Sequence, residues 1–226
     1  MIHLKIDNKK YPITEDPTLD QWQRMMSLDF EYSGHWPTLI NIATGVPIDV
    51  LGLATQEQLR LGGVLVSLAL QRRREVPVVD FNTLNLGQFI DMEYYLAEGM
   101  QKSIRKCLTT LEVETEVATE ALWVIERYTQ WRNNIYKQYA GLFNYDPQPN
   151  DEEEDGPAKT PFDIAKGWYR ILVELSGHDP LKIDSITKQP LKEMFNYLAM
   201  QKDIAQEELN QKKQQQREYE LQRNRR

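Results

Sequence analysis

In "EVATEALWVIERYTQWRNNIYKQYAGLF", Glu116–Phe143, apolar side chains recur at Val117, Ala121, Val124, Tyr128, Trp131, Ile135, Tyr139 and Leu142. Every step is three or four residues, the period of one buried stripe along a continuous helix. A stripe this long needs other helices to lie against. The stretch therefore sets the expectation for the whole chain: mainly α, with a helical bundle at its centre.

Working upstream, "NLGQFIDMEYYLAEGM", Asn85–Met100, supplies one neighbour. Asn85 and Gln88 can cap it reciprocally, and Leu86, Phe89, Ile90, Met92, Leu96, Ala97 and Met100 gather on one arc. Glu93 falls in the middle of that arc. An isolated carboxylate there would cost several kcal/mol and would take up a proton. The expected answer is a structural ion pair with Arg132, on the flank of the Glu116–Phe143 stripe. Partial exposure of Glu93 at an interface and a catalytic role are the other two readings.

Downstream, residues 145–160 lie in "YDPQPNDEEEDGPAKTP", whose prolines and consecutive acids predict a solvated loop. Thr160 with Asp163 then opens a helix whose Ala165, Trp168, Leu172 and Leu175 face inward, stopped by Ser176-Gly177. "GHDPLKIDSITKQ" is read as a second loop. Pro190 starts the last helix, packed through Leu191, Met194, Phe195 and Leu198. Beyond Met200 no sustained seam remains, so the end is a charged extension, either helical or ordered on a partner.

The N-terminus reads differently. Ile2, Leu4 and Ile6 alternate with His3 and Lys5, "DNKK" signals a turn, and "YPI" can return as an edge strand holding Pro12. Thr18 with Gln21 caps a helix buried through Leu19, Trp22, Met25 and Met26. Hairpin followed by helix is a β-grasp-like beginning, for which "VPVVDF", Val76–Phe81, is the candidate later strand. Thr55 with Gln58 opens a further helix to about Leu70. Gly62-Gly63 inside it predicts close approach of another element or a kink, at about 1 kcal/mol per glycine relative to alanine. Tyr32 and Trp36 fall in a turn-rich link. The organisation expected is a small α+β lobe at 1–82, a helical bundle at 83–203 and a charged tail at 204–226.

Charge and motifs narrow the function. The chain carries a net charge of −7 over 226 residues. Residues 211–226 hold six Lys/Arg against two Glu, so the tail is +4 and the remainder −11. An acidic body argues against sheathing nucleic acid; the basic tail alone is compatible with it. Cys107 stands by itself, which excludes an internal disulfide framework and fits a reducing compartment. The charged start does not read as a signal peptide, and no apolar run is long enough to span a bilayer, so a soluble protein is expected. His3, His35 and His178 form no metal-ligand spacing, and the acids at Asp151–Asp155 lack the alternation of a calcium loop. No phosphate-binding glycine motif occurs. Ser176-Gly177-His178-Asp179 lies in no nucleophile elbow and reads as turn chemistry. No catalytic set, metal or cofactor is expected. The enzyme alternative rests on Glu93 and His178 meeting in one pocket.

Docking features stand out instead. Trp123 lies opposite the buried stripe, beside Glu126, Arg127, Gln130 and Asn134, and is either covered by the chain or an interface anchor. With Arg127, and with Tyr219 and Arg223 of the tail, it makes the expected interface set.

The segments "NLGQFIDMEYYL" and "GWYRILVELSGHDPLKIDSITKQPLKEMFNYLAMQK" resemble small morphogenesis proteins of tailed bacteriophages, the likeness covering Thr83–Lys202. It lies in organisation: a β-containing start, a compact helical domain, then a charged tail. The resemblance implies a non-enzymatic virion component, a ring or connector of the neck or tail, from a phage such as those of the crAss-like group. Its neighbouring implication is a tail-assembly chaperone absent from the mature particle. Partners would be other virion or assembly proteins and further copies of the chain, met in the host cytoplasm and then in the virion. No family site motif is matched, so no functional residue is carried over.

Overall fold

The computed structural model describes residues 2–6, 8–76, 79–143 and 160–223. Its strands are β1 (Ile2–Ile6) and β2 (Lys9–Ile13). The helices are α1 (Leu19–Met26), α2 (Trp36–Thr44), α3 (Ile48–Leu51), α4 (Gln56–Leu70), α5 (Leu86–Glu98), α6 (Met100–Thr110), α7 (Ala118–Gln138), α8 (Ala140–Phe143), α9 (Pro161–Leu175), α10 (Ile183–Thr187) and α11 (Leu191–Arg223). The protein is mainly helical, with a small two-stranded antiparallel sheet near its N-terminus. The residues group into two compact units, the first drawn from 1–79, 91–129 and 159–165, the second from 80–90, 130–158 and 166–226.

In the first unit the hairpin pairs Leu4 with Tyr11 and Ile6 with Lys9, and the alternation buries Leu4, Ile6 and Ile13. Pro12, opposite His3, stands on a strand with no second neighbour among the described residues, the position its missing N–H allows. Among the described residues of Val76–Phe81 no strand forms; Phe81 instead opens a short 3₁₀ turn, with the Asp80 side chain accepting from the Asn82 N–H. The link read as turn-rich holds α2 and α3. Trp36 begins α2 and donates its indole N–H to the Phe30 carbonyl at 3.0 Å.

Gly62 and Gly63 show why α4 tolerates two glycines. A Cβ on Gly62 would lie 2.6 Å from Ile40 Cδ1 and 3.3 Å from Leu4 Cδ2, and one on Gly63 3.2 Å from the Trp36 ring. Close approach is the outcome. α4 thus turns its small residues, with Val66 and Ala69, towards the core.

Residues 91–129 join this unit through backbone pairing. Leu19 N–H donates to the Glu116 carbonyl at 2.9 Å, and Ala118 N–H to that of Pro17 at 2.8 Å. The helix expected over Glu116–Phe143 starts at Ala118 and breaks at Tyr139; of its expected stripe Ala121, Val124, Tyr128, Ile135 and Tyr139 are buried, while Val117, Trp131 and Leu142 are half-buried. The Asn85–Met100 helix stops at Glu98 because Gly99 takes φ +100°, a left-hand excursion that glycine accepts without a Cβ penalty. A separate helix, α6, then buries Ile104, Cys107 and Leu108.

The second unit is built on aromatic rings. Phe89, Trp168 and Phe195 are mutually packed, with centroids 5.4 to 6.2 Å apart, and Tyr136, Tyr139 and Phe143 surround them. Asn85 and Gln88 exchange the expected cap bonds at 2.8 and 3.0 Å. Beside them Leu86 N–H donates to the Gln189 carbonyl and Leu191 N–H to that of Leu84. Tyr139 donates its hydroxyl proton to Asn196 Oδ1 at 2.7 Å, tying the α7–α8 break to α11. The second expected loop is partly ordered: Asp179 accepts from Leu181 N–H, Pro180 begins a 3₁₀ turn, and α10 follows. Pro190 precedes α11, as its fixed φ suits a helix start. The acidic stretch at 145–160 lies almost wholly outside the described residues; only Thr160 is described, capping α9 with Asp163.

Candidate functional site

Each residue singled out from sequence has a definite place. Trp123 is half-buried on α7, and the Arg127 guanidinium stacks over its ring at 5.5 Å from the centroid. Such a cation–π contact contributes about 0.5–1 kcal/mol at an exposed site. It leaves an aromatic edge and a cation together on the outer side of the helix. Tyr219 and Arg223 fall in the last turns of α11, where their side chains are outside the described residues.

Glu93 is 8% exposed on α5, so the carboxylate does lie where the arc placed it. Arg132, on α7, lays its guanidinium over Tyr136 at 5.6 Å and donates from Nη2 to Asn133 Oδ1. The two belong to different units, Glu93 to the first and Arg132 to the second.

The segments that hold His178 and His35 are held by local hydrogen bonds. His178 takes φ +66° just after Gly177 at φ +62°, and its N–H donates to the Val173 carbonyl at 2.9 Å, ending α9. Ser176 is buried, with its hydroxyl donating to the same carbonyl at 2.8 Å. His35 Nδ1 accepts from the Asp29 N–H at 3.1 Å, and its ring meets Tyr32 edge-on. Among the described residues no group of three or more His, Cys, Asp or Glu side chains is placed to hold a metal ion. Among the described residues no helix is long and apolar enough to cross a membrane.

One charge cluster among the described residues is not legible from the sequence. Arg105 on α6 grips Glu116 with both nitrogens at 2.9 and 3.0 Å and reaches Asp20 on α1 at 2.9 Å. Beside it opens a shallow cleft of about 600 Å³ walled by Leu19, Leu108, Val113 and Glu114. The cluster ties α1 and α6 to the start of α7. One cation meets two carboxylates in it, leaving a net charge of −1, and it brings together neither a nucleophile nor a paired acid and base. Arg105 holds the Glu116 carboxyl below its ordinary 4.5. The unfolded chain therefore binds that proton more readily, and the stabilisation is complete above about pH 4.5 and fades as pH falls below it. Glu116→Gln is expected to flatten the decline of the urea midpoint between about pH 5 and pH 3, with little loss at neutral pH because the pair is exposed.

A second tie closes the α5–α6 turn, where Glu98 accepts from Ser103 at 2.6 Å and Lys106 at 3.0 Å. Close by in sequence, Cys107 is fully buried, and burial pushes its thiol up to about 12. A thiol so protonated is inert. Native protein is expected to resist iodoacetamide at about pH 8 and to be alkylated only in urea, read as one mass addition.

The remaining features are apolar and outward. Leu61, Val64 and Leu68 on α4 are 53%, 47% and 50% exposed, and Tyr197, Met200 and Ile204 on α11 are nearly as open. Sequence alone does not expose the α4 row, because from Leu61 to Leu70 the helix is apolar nearly all round and only the fold shows which side faces out. Lys202 donates to the Gly141 carbonyl, and from Met200 through Glu218 every α11 side chain is exposed. Compared with known proteins, the chain matches no protein family, no curated protein and no solved structure. What stands is a mainly helical protein with a small two-stranded antiparallel sheet near its N-terminus.

Proposed function

We propose that this protein is a non-enzymatic structural subunit acting through protein–protein contacts, repeated within a larger assembly. The resemblance of Thr83–Lys202 to phage morphogenesis proteins makes that assembly the neck or tail of a tailed-phage virion, as a ring or connector component. In this reading the hairpin-and-helix start and the helical bundle form the body, and the charged C-terminal helix is the arm that reaches a neighbour.

One observation carries it. α11 runs on for roughly 35 Å beyond Met200 to Arg223, at about 1.5 Å per residue, with every described side chain exposed. An isolated helix of this length is marginal in water, particularly one polar nearly all round. Its exposed Tyr197, Met200 and Ile204, three and four residues apart, share one face that can bury against another surface. Trp123 with Arg127 is of the residue types that anchor interfaces.

Truncation after Asp203 tests the reading. The shortened protein is expected to keep its thermal unfolding and to be lost from assembled particles. Particles that take it up as readily as the full chain would overturn the arm's role. A soluble complex with one unassembled structural protein, and none in particles, would replace the virion reading by the assembly-chaperone one.

A further inference from the structure

The outer face of α4 carries an arrangement that a lone subunit has no use for. Its small residues, Gly62, Gly63 and Ala69, are buried, while the larger Leu61, Val64 and Leu68 stand about half exposed. Spaced three and four apart, they form one row along the helix. Arg60 and Gln71 border the row, Glu57 lies in the first turn, and Arg72 follows the helix end. The row is apolar at its middle, acidic near its start and basic just past its end.

We propose that this face is a homotypic interface, on which the α4 helices of two copies lie antiparallel across a two-fold axis. A two-fold contact joins the same patch to itself, so the patch must be self-complementary. With the axis between Val64 and Leu65, Leu61 of one copy is level with Leu68 of the other, and Val64 lies near its own counterpart. Glu57 of each copy is then level with Arg72 of the other. Arg72 already meets Glu15 within its own chain, yet its side chain remains 48% exposed and can be shared. A parallel arrangement would instead set Glu57 beside Glu57 and Arg72 beside Arg72. Charge thus selects the antiparallel pairing.

The row is small against the roughly 800 Å² per partner of a standard interface. An isolated pair is therefore weak, and the contact gains strength where other contacts already hold the copies close. The proposal does not depend on the proposed function, since it applies equally to a virion component and to a chaperone.

The test is sedimentation velocity of the full chain from about 5 to 500 μM, together with Val64→Cys under mild oxidation. Buried Cys107 leaves the introduced thiol as the reporter. The wild type is expected to shift from monomer towards dimer as concentration rises, and Val64→Cys to cross-link to a covalent dimer. Leu68→Glu, at an exposed site, should keep the wild-type circular dichroism and weaken association at least tenfold. Glu57→Arg should weaken it too, and adding Arg72→Glu should restore it. A protein that stays monomeric throughout overturns the proposal, as does a dimer indifferent to Leu68→Glu.

Discussion

Replacing Phe195 by alanine is expected to lower the unfolding free energy by about 4 kcal/mol, at the upper end for a buried large-to-small change. Phe195 is wholly buried on α11 and meets Phe89, Tyr139 and Phe143 edge-on at 5.3 to 5.4 Å, with Trp168 stacked at 6.2 Å. Four ring partners mean that the loss is not only of buried area. Each edge-to-face pair adds about 0.5–1.5 kcal/mol beyond area, and the surrounding rings cannot collapse into the void without breaking one another's geometry. Urea unfolding followed by near-ultraviolet circular dichroism reads both effects, a lower midpoint and a flattened aromatic signal. Phe195→Leu, which keeps most of the volume, should cost about 1–1.5 kcal/mol. Equal costs for the two changes would mean that the rings contribute no more than their bulk.

Gly62→Leu should destabilise by about 3 kcal/mol, although glycine-to-leucine in a free helix would stabilise by somewhat under 1 kcal/mol. The sign reverses because the new Cβ would meet Ile40 Cγ1 at 3.0 Å as well as its mobile Cδ1 at 2.6 Å, and Ile40 is itself fully buried. Moving Ile40 displaces α2, and moving Leu4 disturbs the hairpin. Two residues on, Val64→Ala on the exposed face should change stability by less than about 0.5 kcal/mol. Thermal unfolding of the two variants side by side checks the contrast between the inner and outer faces of one helix.

That contrast also marks the limit of what was legible in the sequence. The reciprocal caps Thr18–Gln21, Thr55–Gln58, Asn85–Gln88 and Thr160–Asp163 could all be read, and all form. Each is a contact between residues three apart, so its information is local. The α7 stripe and the burial of Glu93 followed from helical period in the same way. Failures came where the deciding contact is distant. Nothing near Arg105 announces that Asp20, far earlier in the chain, completes its grip. The backbone pairing of Leu19 with Glu116, which places residues 91–129 with the N-terminal ones, leaves no local trace either. α2 leaves little trace because Trp36-Pro37 at its start resembles a turn and its N-cap, His35, makes no side-chain capping hydrogen bond. The outward row on α4 is hidden in the sequence because Leu61–Leu70 holds one polar residue, Ser67, too few to mark a polar face.

A function resting on docking needs a measurement of company rather than of catalysis. The most direct is sedimentation of a lysate from cells in which the protein is made naturally, followed by detection of the protein across the gradient after a high-salt wash. A structural subunit is expected to remain with megadalton particles through the wash. Recovery solely in the light fractions, at the mass of a monomer or dimer, would contradict the account.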